Sequence, residues 1–76
     1  MRIHVKTVGT VKDLEAGTRV ETLDIPPGTS VADVIRQMKL QDWEIGFIKI
    51  NGQGGSRESI LKENNELLLI SPLVGG

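Results

Sequence analysis

A chain of 76 residues makes a single domain with a modest core. It contains no cysteine, which excludes a disulfide scaffold, a thiolate zinc site, a cysteine-ligated iron–sulfur cluster and a thiol nucleophile together. Nine Lys and Arg stand against ten Asp and Glu, mixed along the chain, so the net charge of −1 offers no basic patch for nucleic acid.

Residues 2–8 alternate Ile3 and Val5 with Arg2, His4 and Lys6, the period-2 pattern of a half-buried strand. That alternation is too strict for a signal peptide, and no apolar run approaches the ~20 residues of a membrane span. With the lack of cysteine, a cytoplasmic protein without membrane contact is expected. Residues 9–17 form a polar connection. Residues 18–25 give a second strand, with Val20 and Thr22 on one face and Leu23 and Ile25 leading out. Two strands joined so closely predict an antiparallel hairpin.

Pro26-Pro27-Gly28 stops the second strand. Ser30 is then a good helix N-cap, with Asp33 three residues later at the capping-box spacing. Val31, Val34, Ile35 and Met38 fall on one stripe of a helix over residues 31–40. A single short helix needs a sheet face to bury that stripe. Trp43 and Phe47 are the only aromatic residues, and Trp43, just after the helix, is expected as a lid on the core.

Residues 46–50 predict a third strand, closed by the turn signal Asn51-Gly52. Residues 57–60 are expected to form a short edge segment, and Asn64-Asn65 a second turn. The last strand spans 66–71 and ends at Pro72, which cannot donate to a ladder. It has two apolar faces: Leu67 and Leu69 point one way, Leu68 and Ile70 the other. One helix covers one face, so Leu68 and Ile70, joined by Phe47, are expected to meet a partner.

Past Pro72 the chain runs through Leu73 and Val74 to Gly75-Gly76. At an average glycine usage of about 7%, two such glycines arise by chance in roughly one chain in 200. The expectation is a domain of residues 1–71 followed by a flexible tail of residues 72–76.

The whole chain resembles the ubiquitin-like β-grasp sulfur carriers, the small subunit of molybdopterin synthase and the thiamine sulfur carrier protein. The opening hairpin, the helix start Pro27-Gly28-Thr29-Ser30-Val31-Ala32-Asp33-Val34-Ile35 and the Ile50-Asn51-Gly52 turn carry part of the likeness. The more specific part is Leu61-Lys62-Glu63-Asn64-Asn65-Glu66-Leu67 running into Ser71-Pro72-Leu73-Val74-Gly75-Gly76. Asn64-Asn65 stands where the family usually has Gly-Asp, and Ser71 replaces the first of two prolines found in many molybdopterin synthase small subunits. The Pro72-x-x-Gly-Gly ending leans to that branch, with the thiamine branch and other sulfur-containing products left open.

The resemblance implies an α+β fold of the β-grasp type, a mixed sheet of four to five strands on one main helix. It also implies that Gly76 is adenylated by a ubiquitin-activating-type enzyme that uses ATP and Mg²⁺. Sulfur from a persulfide donor protein would then give a thiocarboxylate, delivered to an acceptor enzyme such as a molybdopterin synthase large subunit. A C-terminal carboxylate is ionised at neutral pH and a poor electrophile, so this activation is chemically required. Six extended residues from Ser71 to Gly76 span at most about 20 Å, enough to enter a partner's site. Gly75 and Gly76 suit a narrow channel because they carry no Cβ, while Pro72, Leu73 and Val74 can line it. Because the chain stops at Gly76, no maturing protease is expected.

The alternative under the same resemblance is a protein modifier joined to targets through Gly76. In either case the chain is expected to be a carrier, not an enzyme, with no catalytic residue and no bound cofactor. His4, the only histidine, alternates onto a polar strand face and is expected to be solvated. Gly52-Gln53-Gly54-Gly55 lacks the Gly-Lys-Ser/Thr ending of a phosphate loop. Asp24, Asp33, Glu63 and Glu66 are too scattered to suggest a metal site, although such acidic residues could steer a basic partner.

Overall fold

The computed structural model describes residues 1–9 and 18–72. Strands β1 (Arg2–Val8), β2 (Thr18–Asp24), β3 (Phe47–Ile50), β4 (Gln53–Gly54) and β5 (Glu66–Ile70) form one sheet in the order β2-β1-β5-β3-β4. Helix α1 (Val31–Gln37) crosses one face. β1 pairs antiparallel with β2 and parallel with β5, and β5 pairs antiparallel with β3. This is the mixed sheet on one helix that defines the β-grasp fold, as expected.

Alternation along each strand sorts side chains between core and solvent. Ile3 and Val5 of β1, Leu67 and Leu69 of β5, and Ile48 of β3 turn inward. They meet Val31, Val34 and Ile35 of α1, with Met38 packed partly against them. Each fully buried aliphatic side chain contributes about 1.5–3 kcal/mol relative to exposure, so this face supplies most of the stability. β3 turns into β4 at Asn51 (φ 52°) and Gly52 (φ 81°), two consecutive left-handed residues that suit a two-residue hairpin.

The start of α1 leaves backbone N–H groups without helical partners. Each finds one. The Ser30 hydroxyl accepts from the Asp33 N–H at 3.2 Å, and the Asp33 carboxylate accepts from the Ser30 N–H at 3.0 Å. The N–H groups of Val31 and Ala32 donate to the carbonyls of Ser59 (3.0 Å) and Arg57 (2.9 Å). Residues 57–60 thus collar the helix start, bridging Ser30 at Ile60, and do not extend the sheet edge as expected. β4 occupies that edge instead. The collar is anchored by Arg57, whose guanidinium reaches the Asp42 carboxylate at 2.5 Å and the carbonyls of Asp42 (3.0 Å) and Ile45 (2.8 Å).

The Asp33 carboxyl is held below the ordinary carboxylate range, chiefly by the Ser30 N–H, then by the Ser30 hydroxyl and Arg36. A depressed folded-state pKa stabilises the protein above the unfolded-state value, and the contribution is lost as pH falls through the folded value. Asp33→Asn is therefore expected to lower the melting temperature at neutral pH. The deficit should vanish in acid below the carboxylate range, as followed by circular dichroism melts.

α1 ends three residues earlier than the expected helix of residues 31–40. The Lys39 N–H donates to the Arg36 carbonyl (3.0 Å) and the Leu40 N–H to the Ile35 carbonyl (3.1 Å), a Schellman ending. Lys39 itself is left-handed (φ 60°), a position that usually takes glycine. That conformation costs an L-residue roughly 1–2 kcal/mol, partly offset by the extra unfolded-state freedom of glycine. Lys39→Gly is expected to stabilise the domain by up to about 1 kcal/mol in urea unfolding.

Trp43 is not the expected core lid. It lies on a 3-10 turn (Asp42–Glu44) and is 65% exposed. The turn buries Glu44 and Ile45 instead, with the Glu44 carboxylate accepting the Gln41 N–H at 2.7 Å.

Candidate functional site

The expected tail residues Leu73, Val74, Gly75 and Gly76 lie outside the described residues, as do residues 10–17 of the first connection. The structure does define the strand that precedes them. β5 is central, and its final bonds are made on both sides. The Gly46 N–H donates to the Ile70 carbonyl at 2.8 Å, and the Ser71 N–H donates to the Val8 carbonyl at 2.9 Å. Ser71 is buried, and Pro72 follows it into solvent. The ladder stops there because proline has no N–H.

The sheet face away from α1 carries the residues expected to meet a partner. Register sets them in rows. Val8 of β1, Ile70 of β5 and Phe47 of β3 lie side by side nearest Ser71. In the next row Val20, Lys6, Leu68 and Lys49 run across β2, β1, β5 and β3. Beyond it stand Thr22, His4 and Glu66. Leu68 and Ile70 are half-buried, while Phe47 is 59% and Val20 70% exposed. Phe47, Leu68 and Ile70 are thus brought together on one face. A shallow depression lies there among His4, Lys6, Val20, Lys49 and Leu68.

Val8, Val20, Lys6 and Lys49 share this face with the three residues expected to meet a partner. Alternation gives each residue its face, but it takes the parallel pairing of β1 with β5 and the antiparallel pairing of β3 with β5 to put Lys6 and Lys49 on either side of Leu68. Three of the acidic residues also make local contacts. Asp33 caps α1, Glu63 accepts the Arg2 N–H at 2.6 Å, and Asp24 lies 3.6 Å from the Arg2 guanidinium. Glu66 does share the open face. His4 meets the Thr22 hydroxyl at 3.3 Å on the exposed surface.

Among the described residues, no group of three or more His, Asp or Glu side chains could hold a metal ion. No helix of the described residues is long and apolar enough to cross a membrane. Chemically, the face offers an apolar centre flanked by ammonium groups, suited to recognition.

No protein-family model matches the sequence, and no curated protein matches it. Solved structures do. Small archaeal modifier protein SAMP1 from Haloferax volcanii superposes with a TM-score of 0.74 at 20% identity, over 100% of both chains. A Pyrococcus furiosus protein described as molybdopterin converting factor subunit 1 gives 0.72 at 22% identity, over 96% of this chain and 99% of that one. A second crystal structure described as the H. volcanii small archaeal modifier protein 1 gives 0.69 at 18% identity, over 95% and 98%. At these identities the likeness establishes a shared ubiquitin-like β-grasp fold along the whole chain.

Proposed function

We propose that this chain is a sulfur carrier protein working through Gly76. In this reading the Gly76 carboxylate attacks the α-phosphate of ATP in a ubiquitin-activating-type enzyme, with Mg²⁺, and pyrophosphate leaves. A persulfide sulfur then displaces AMP at the acyl carbon. A thiol cleaves the resulting acyl disulfide, leaving a thiocarboxylate and a new disulfide. The thiocarboxylate sulfur passes to an acceptor enzyme, with molybdopterin the favoured product and a thiamine-type acceptor the alternative.

The observation that carries the reading is the end of β5. The strand feeding Pro72 is central, bonded on both sides to its last residue, and edged by the apolar row Val8, Ile70 and Phe47. A body built this way offers whatever follows Pro72 beside a recognition face. The name of the P. furiosus neighbour supports the molybdopterin branch. Incubation with the activating enzyme and ATP should support ATP–pyrophosphate exchange. No exchange with an enzyme proven active on another carrier would defeat the proposal.

Lys6 and Lys49 beside Leu68 point to an acidic surface on the activating enzyme. Lys6→Glu combined with Lys49→Glu should slow association by about tenfold or more at low salt, with a smaller effect at high salt. Stopped-flow binding measures both.

A modifier role is the second reading, favoured by the names of the H. volcanii neighbours. Lys62 is the last basic residue, so trypsin would leave a branched peptide beginning at Glu63 on a target lysine. Failure to find it in cells that express the protein well would remove this role.

A further inference from the structure

Gly46, the exposed residue before β3, has no conformational need to be glycine. The left-handed glycines among the described residues are Gly9, Gly28 and Gly52. What Gly46 accommodates is Pro72. A Cβ at position 46 would stand 2.7 Å from Pro72 Cα and 2.8 Å from both Pro72 N and Pro72 Cβ. Carbon atoms pack at about 3.5–4.0 Å, and most of this obstruction is backbone that no rotamer change can move. Gly54, also exposed, would place its Cβ in open space with nothing within 4 Å.

The contact sits where the ladder ends. Gly46 bonds the Ile70 carbonyl through its own N–H, Ser71 is tied to Val8, and the next residue rests on the bare Cα of Gly46.

We propose that Gly46 is a positioning residue: its missing side chain seats Pro72 and so fixes the direction in which the chain leaves the sheet toward Gly76. The functional consequence rests on the carrier reading above. An acyl carbon displaced by an ångström can lose about 10²-fold in rate, whereas docking through Phe47, Leu68 and Ile70 does not require the tail to be aligned.

The test compares Gly46→Ala with Gly54→Ala in the full chain. In Gly46→Ala, the amide resonances of Ser71 and Leu73 should move while those of α1 stay in place. The kcat for ATP–pyrophosphate exchange should fall about tenfold or more, with Kd for the activating enzyme within about twofold of wild type. Gly54→Ala should change none of these. Pro72→Gly, which leaves residue 46 bare but removes the ring that rests on it, should likewise lower kcat with the α1 resonances in place, and it decides the matter if Gly46→Ala does not fold. Unmoved Ser71 and Leu73 resonances, a wild-type kcat in either variant or an equal loss in Gly54→Ala would each overturn the proposal. If the wild-type chain supports no exchange, the carrier reading falls and the resonances alone decide whether Gly46 seats Pro72.

Discussion

Deletion of Gly76 is expected to abolish ATP–pyrophosphate exchange and sulfur transfer while leaving the melting temperature unchanged. In the proposed mechanism the reacting carbon belongs to Gly76, so the loss should be complete. A chain ending at Gly75 still presents a carboxylate, but one residue short of its place, and misplacement on that scale removes the benefit of positioning. The fold should be indifferent, because every described hydrogen bond and core contact lies at or before Pro72. Exchange assays and circular dichroism melts on the same preparations separate the two effects. A melt shifted with the activity would mean that the deletion acts through the body.

The second large effect is expected at adjacent leucines of β5. Leu69 is fully buried in the central strand, so Leu69→Ala should cost about 2–5 kcal/mol. A small domain carries roughly 0.05–0.15 kcal/mol of stability per residue, so this one substitution takes much of the total. The melting temperature should drop on the order of 10–30 °C. Leu68, one residue earlier, is half-buried on the open face between Lys6 and Lys49. Leu68→Ala should leave the melt within a few degrees and weaken binding to the activating enzyme by about 1–2 kcal/mol, as a recognition anchor would. Urea unfolding and calorimetric titration give both numbers. A reversal of the two effects would mean that β5 faces the other way.

Much of this architecture was legible in the sequence because local chemistry and tertiary structure agree. The opening alternation placed Ile3 and Val5 in the core, and Asn51-Gly52 and Asn64 occupy the left-handed turns their types favour. Ser30 and Asp33 fixed the helix start, and the two-faced pattern of β5 brought Phe47, Leu68 and Ile70 to one surface. What the sequence missed depends on distant partners. The chain leaves the helix through a left-handed lysine because the Schellman bonds outweigh the cost of that backbone, and lysine carries no stop signal. Residues 57–60 turn to the helix because Arg57 is held at Asp42 and Ile45, from which residue spacing gives no hint. Trp43 looked like core by composition, yet Ile45 takes the inward position of its turn. Gly46 looked like an ordinary strand boundary, and only the approach of Pro72 gives it meaning.

Intact-mass spectrometry reads whether Gly76 carries sulfur. The protein is incubated with the activating enzyme, ATP, Mg²⁺, a persulfide donor and a thiol. The expected result is a mass gain equal to one oxygen replaced by one sulfur, localised to the peptide from Glu63 to Gly76 and absent without ATP. An unchanged mass, with the activating enzyme and donor shown active on another carrier, would contradict it.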